Sequence, residues 1–226
     1  PDFAEALKGR KIQGAEGLAA YVKIYLDDGF LLLRDGINPR YYGPDEKKPE
    51  KHQLYLEMED GAALACSVQM YGAMQLYSGE EKALENPYYK VVFRRPSAMD
   101  DEFTEEYFMG LFEGEKPSLS VKALLATEQR IPGVGNGVLQ DMLLHAGIHP
   151  KSKAAKLPPE GRRKLHQAVR GTMEEMTRLG GRSTEKNLYG NPGGYEVQLS
   201  AKTLGAPCPV CGGTVQKLSY LGGNVY

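Results

Sequence analysis

Hydrophobic positions along the chain change period partway through. In "YVKIYLDDGFLLLRDG" (21–36) two apolar runs flank Asp27-Asp28-Gly29, and "HQLYLEMEDGAALACSVQM" (52–70) repeats the plan around Asp60-Gly61. Each reads as a β-hairpin, because short apolar runs meet at residues suited to a tight turn. Two such hairpins predict an antiparallel sandwich or barrel-like sheet in the first third of the chain. Cys66, inside the last of these strands, is then a buried structural thiol. Near residue 95 the spacing becomes helical: Phe103, Tyr107, Phe108 and Leu111 follow Pro96, with Ser97 or Asp100 as caps. A second helix is predicted over 120–130. A third starts after Asn136 as its N-cap and buries Val138, Leu139, Met142, Leu143 and Ala146. A fourth spans about 159–179, with Leu165, Val169, Met173 and Met176 on one stripe and Gly180-Gly181 as its stop. Residues 187–208 are glycine-rich and weakly structured. They lead to "CPVCGGTVQKLSYLGGNVY", a knuckle followed by a hairpin turning at Gly222-Gly223.

Length and composition leave room for one large domain or two modest ones, since the 226 residues are 41% hydrophobic and 25% charged. No apolar run approaches the roughly 20 residues that span a bilayer, and no signal peptide is visible. The expected setting is therefore the cytoplasm, with no membrane partner. The net charge of −1 hides a strong asymmetry: residues 1–115 carry −9, residues 116–186 carry +7, and the remainder carries +1. A basic middle segment fits either a polyanion partner or a solvated helix face.

That segment contains "IPGVGNGVLQDMLLHAGIHP" (131–150), in which Gly133, Gly135 and Gly137 lead into a helix. A dinucleotide-binding loop would follow a strand, whereas here a helix precedes. A phosphate-binding loop of the nucleotide-triphosphate type would continue into Gly-Lys-Ser/Thr, which is absent. Two readings remain: a tight turn between packed helices, or a helix N-terminus whose backbone N–H groups receive a phosphate, with Asn136 adding a side-chain donor. Cys208-x-x-Cys211 has the spacing of half a zinc ribbon, since the short loop lets two thiolates share one tetrahedral ion. The four histidines, His52, His145, His149 and His166, all lie upstream, so the second pair of ligands is expected beyond Tyr226. A thioredoxin-like redox pair is the alternative and lacks its βαβ context.

The order "LLATEQRIPGVGNGVLQDMLLHAGIHP" after Lys122, "GGRSTEKNLYGNPGGY" and "CPVCGGTV" resembles the formamidopyrimidine-DNA glycosylase / endonuclease VIII family. The resemblance covers nearly the whole chain and is tightest from Lys122 to Cys211. It implies an α+β fold of two lobes: an N-terminal antiparallel β-sandwich, incomplete here, and a C-terminal helix–two-turn–helix module with a zinc-ribbon hairpin. The implied divisions are 1–95 for the sandwich lobe, 96–186 for the DNA-binding helices, and 187–226 for the lesion loop and partial zinc ribbon. By position, Asn136 and Lys122 match the family's phosphate-binding residues, with Gly133, Gly135 and Gly137 around them. Cys208 and Cys211 match the first two ligands of one structural zinc per chain. "GINPR" (36–40) falls at the loop that fills the gap left by a flipped base, with Ile37 at the wedge position. "SVQMYG" (67–72) falls at a second such loop, where Tyr71 keeps the aromatic and Gln69 replaces an arginine. Core packing is the other reading of Ile37 and Tyr71.

The activity implied is base-excision repair of double-stranded damaged DNA by a monomer. A base, expected to be oxidised, is flipped out and excised through a Schiff base on an N-terminal proline followed by glutamate, with subsequent strand cleavage. Pro1-Asp2 opens the chain, yet "LKGRKIQGAEGLAAYVKI" (7–24) matches a segment well inside the family's proteins, which places the Pro-Glu nucleophile upstream of Pro1. Two further departures stand out: Ala20 lies near the place of a family lysine, and Gly223 occupies the place of the hairpin's arginine. These departures keep a second reading in play, a non-catalytic DNA- or RNA-binding relative that uses the helical module and the ribbon for docking only.

Overall fold

The structure, a computed structural model, describes residues 3–69 and 71–226. The chain forms two compact units. One contains the chain up to Val92 together with Lys186–Asn191, and the other contains Phe93–Glu185 with Pro192–Tyr226.

The first unit runs α1 (Phe3–Leu7), β1 (Ile12–Leu18), β2 (Tyr21–Leu26), β3 (Phe30–Arg34), β4 (Ile37–Tyr42), β5 (Leu54–Glu57), β6 (Ala63–Val68), β7 (Met74–Tyr77), α2 (Glu80–Ala83) and α3 (Pro87–Val91). Two antiparallel sheets result, ordered β1-β2-β3-β7 and β4-β6-β5. The two predicted hairpins are β2–β3 and β5–β6. Strand β3 reads "FLLLR", with no alternation, because both its faces are covered. Leu31 and Leu33, with Ile24, meet Leu54, Leu64 and Cys66 of the other sheet, while Phe30 and Leu32, with Tyr21, meet Ala83 and Tyr89 of α2 and α3. Burial of the Cys66 thiol among these aliphatic groups raises its pKa to about 11, since a thiolate there would lose its hydration.

Three strands escape the hydrophobic pattern. Strand β1, "IQGAEGL", is a mostly exposed edge with two glycines. Strand β4, "INPRYY", is also an edge and tolerates Pro39 because only one of its sides must pair. Strand β7, "MQLY", is too short to show a period. Asn86 caps α3, accepting from Tyr88 N at 3.0 Å, with Pro87 at the first helical position.

The second unit holds α4 (Glu105–Gly110), α5 (Val121–Ala126), α6 (Leu139–Ala146), a 3-10 turn (Ala154–Lys156), α7 (Pro159–Arg178) and the hairpin β8 (Leu218–Tyr220)–β9 (Gly223–Val225). The cap of α4 is Thr104, whose Oγ1 accepts from Tyr107 N at 3.1 Å, and not Ser97 or Asp100. Asp100 instead closes a turn, accepting from Ser97 N at 2.7 Å. Helix α5 is capped by Ser120 but stops at Ala126, four residues before the expected end, because Glu128 and Gln129 take positive φ of 57° and 45°. Helix α7 ends as expected: Gly180 and Gly181 are left-handed, and Gly181 N returns to Met176 O at 2.8 Å. Phe103, Phe108, Leu124, Leu125, Ile131, Leu139, Met142, Leu165 and Val169 form the core of this unit. Among the described residues no helix is long and apolar enough to cross a membrane.

Candidate nucleic-acid interface

Helix α6 does not begin at Asn136. Val138 is its N-cap, and residues 131–138 form two successive turns, closed by Val134 N to Ile131 O at 3.1 Å and Leu139 N to Gly135 O at 3.2 Å. Asn136 is thus left on the turn with its side chain free for other work. Gly133 needs its glycine for a φ of 85°. At Gly137 a Cβ would lie 2.5 Å from Arg182 Nη1, so the guanidinium at the end of that flexible side chain would have to shift. Gly135 meets neither condition, since a Cβ there would point into open space. Among the described residues the backbone N–H groups of Gly135, Asn136 and Gly137 donate to no protein acceptor.

The β8–β9 hairpin lies against this turn. Asn136 Nδ2 donates to Asn224 O at 2.9 Å, and its Oδ1 is buried without a partner. Gly223 faces the same amide, where a Cβ would come within 3.0 Å of Asn136 Nδ2. Lys122, on α5, is 2% exposed and donates through Nζ to Tyr220 O. Burial lowers its pKa below the usual lysine value. Its ammonium and that of Lys151 lie 5.8 and 5.3 Å from the Tyr220 ring centroid. The hairpin turns at Leu221-Gly222, one residue before the expected pair, with φ of 49° and 72°. An amide carries two N–H donors and an ammonium three. Asn136 therefore keeps one N–H beyond its hairpin contact, and Lys122 keeps two.

Sequence reasoning missed three residues around this turn. Gln140 Oε1 accepts from Tyr226 N at 2.8 Å, and its Nε2 faces Asn136 O at 3.1 Å and Asn224 O at 3.4 Å. Asp141, fully buried, accepts from Gln198 N at 3.0 Å and Leu199 N at 2.9 Å, tethering the segment ahead of the cysteines to α6. Arg182 lies on Gly137 and pairs with Glu185, while its Nε is buried without a partner. Polar residues at helix positions that face the core, as Gln140 and Asp141 do, were the available signal.

In the first unit, "GINPR" is not a loop: Ile37 opens β4, pairs with Val68 and packs partly on the sheet core. The two expected wedge segments nevertheless meet, because Gln69 N donates to Gly36 O at 2.7 Å. Tyr71 follows on a left-handed backbone (φ 65°) with its side chain 78% exposed. Ala20 is partly buried beside Tyr21, and its carbonyl accepts from Asp35 N at 2.7 Å. Pro1 lies outside the described residues.

Cys208 and Cys211 share a knuckle closed by Cys208 N to Gly213 O at 2.6 Å and Gly212 N to Cys208 O at 2.9 Å. Hydrogen bonds from the backbone N–H groups of Cys211 and Val210 lower the Cys208 pKa, as suits a thiolate ligand. Among the described residues no group of three or more His, Cys, Asp or Glu side chains could hold a metal.

No family model matches the chain. Formamidopyrimidine-DNA glycosylases do match it: that of Bacillus licheniformis is 27% identical over 222 residues, covering 96% of this chain and 79% of the relative. That of Lactobacillus helveticus is 28% identical over 227 residues, covering 97% and 80%. Among solved structures, the complex between the Lactococcus lactis Fpg and an abasic site containing DNA matches with a TM-score of 0.80 at 22% identity, over 98% of this chain and 82% of that one. The complex of the same organism's Fpg with an N7-benzyl-Fapy-dG containing DNA matches with a TM-score of 0.79 at 23% identity, covering 98% and 81%. Relatives of one name, formamidopyrimidine-DNA glycosylase, align along nearly the full chain, and solved structures of that name share its fold.

Proposed function

We propose that this protein is a DNA-repair glycosylase with AP lyase activity that binds damaged double-stranded DNA, flips out an oxidised base and excises it. The observation that carries the reading is the turn at 133–137. Three backbone N–H groups at Gly135, Asn136 and Gly137 have no protein acceptor, and the Asn136 amide spends one donor on the hairpin, which also takes a donor of Lys122, and keeps the other for an anion. A phosphate oxygen received there would be held through the backbone of DNA without reading its sequence. The open space over Gly135 leaves that approach unobstructed. Tyr71 serves as the wedge, an exposed aromatic able to stack in the gap left by the flipped base, with Ile37 and Gln69 supporting it from the adjoining strand ends.

The chemistry expected of the family is attack by a proline amine on the sugar C1′, loss of the base, and a Schiff base that precedes strand cleavage. None of the described residues is assigned that role. One structural zinc is part of the same reading: Cys208 and Cys211 would supply two thiolates and hold the knuckle closed, and no step depends on the ion.

Asn136→Ala should weaken duplex binding at every sequence and leave the salt dependence nearly unchanged, because a neutral amide releases no counterion. Fluorescence anisotropy over a salt series checks this, and an unchanged affinity removes the phosphate grip. Borohydride reduction on abasic DNA tests the lyase step: a covalent cross-link is expected. Binding without a cross-link would instead favour the docking-only relative, to which the substitutions Ala20, Gln69 and Gly223 already point.

A further inference from the structure

The hairpin β8–β9 orients both side chains of the phosphate grip, and one residue holds the hairpin in place. Gln140, in the first turn of α6 and 7% exposed, meets the outer edge of β9 with its carboxamide. Its Oε1 accepts from Tyr226 N at 2.8 Å, and its Nε2 reaches Asn224 O at 3.4 Å. A C=O at one position and the N–H two residues later are the pair that a parallel neighbouring strand would engage. The side chain thus takes the place of a strand partner, centred on buried Val225. Its Nε2 also faces Asn136 O at 3.1 Å, so one amide spans the hairpin and the glycine turn. Asn224 O, with two lone pairs, receives Asn136 Nδ2 as well.

We propose that Gln140 is the positioning residue of the DNA grip. It sets the hairpin against the turn, and the hairpin carbonyls of Asn224 and Tyr220 then aim the remaining N–H groups of Asn136 and Lys122 at a DNA phosphate. The proposal rests on the DNA-binding reading above and assigns Gln140 no contact with DNA.

The test uses the full chain and an abasic-site duplex, read by anisotropy across a salt series with thermal unfolding alongside. Gln140→Leu, of similar size but without hydrogen bonds, should weaken binding by about 3- to 10-fold, as expected for the loss of one or two net hydrogen bonds. The salt slope should fall by about 0.9 for the phosphate that Lys122, the charged member of the grip, no longer reaches. Because Gln140 acts through Asn136, the losses in Gln140→Leu and Asn136→Ala should combine to less than their product. If Gln140→Leu does not fold, Gln140→Glu replaces it, since a carboxylate still accepts from Tyr226 N; it is judged by the combination with Asn136→Ala alone. Fully multiplicative losses overturn the proposal, as does an unaltered affinity and slope in Gln140→Leu while Asn136→Ala is weakened. That second outcome leaves the DNA reading standing. Unaltered binding in both variants removes the grip and the proposal together.

Discussion

At the level of single residues, Tyr71 and Cys66 lie close in sequence and have opposite fates. Cys66 faces the inter-sheet core, whereas Tyr71 is held out by a left-handed backbone that a tyrosine does not adopt cheaply. Tyr71→Ala is expected to reduce affinity for an abasic-site duplex by about 1–3 kcal/mol, the range for removing one base–aromatic stack, with a smaller effect on intact duplex. A competition titration of the two duplexes measures the difference, and equal losses on both would assign Tyr71 to general contact. The buried thiol was legible from its place in an apolar strand. The exposure of Tyr71 was not, because a lone aromatic beside a glycine gives no periodicity from which to read its direction. Gln140 and Asp141 show the converse: their helix was legible, but polar residues on its inner side acquire meaning only once the backbone groups they satisfy are seen.

Among the elements, the helices of the second unit were visible as apolar stripes, and their ends were less so. Several residues before α4 can cap a helix, and the choice falls on the one whose hydroxyl reaches an N–H three residues on. Thr104→Ala should therefore cost about 1 kcal/mol, and Ser97→Ala well under half of that. Chemical denaturation of the two variants checks this, and a larger loss at Ser97 would contradict the cap assignment. The later start of α6 has a related cause. Asn136 has a capping residue's chemistry, but its side-chain amide is engaged by the hairpin 88 positions away in sequence, and no local pattern contains that contact. Edge strands β1 and β4 were missed because an edge that faces solvent needs little apolar alternation.

For the whole molecule, the first unit carries a net charge of −3 and the second +2, because the acidic residues from Asp100 to Glu115 belong to the second unit and offset much of its basic stretch. The first unit also holds an acid-sensitive fastening. Glu80 of α2 pairs with Lys23 of β2 and accepts from Tyr89 Oη at 2.7 Å. Burial opposes its ionisation, but the hydrogen bonds from Lys23 and Tyr89, with the Lys23 charge, overcome this and lower its pKa. A carboxyl whose folded pKa lies below its unfolded value adds stability above the ordinary carboxylate range and loses it as pH falls through the folded pKa. Thermal unfolding of the wild type should thus decline on acidification below about pH 4.5 more steeply than that of Glu80→Gln. Parallel acid branches would show that the pair contributes nothing. Finally, the segment Lys186–Asn191 is tied to β4 through its backbone: Tyr41 N donates to Leu188 O at 2.9 Å, and Arg40 Nη1 to Lys186 O and Asn187 O at 3.2 and 2.8 Å. These ties use the carbonyls of Lys186 and Leu188 and leave their side chains uncommitted. Mutation can exchange the chemistry displayed at those two positions while the backbone ties that set the path of the chain stay in place.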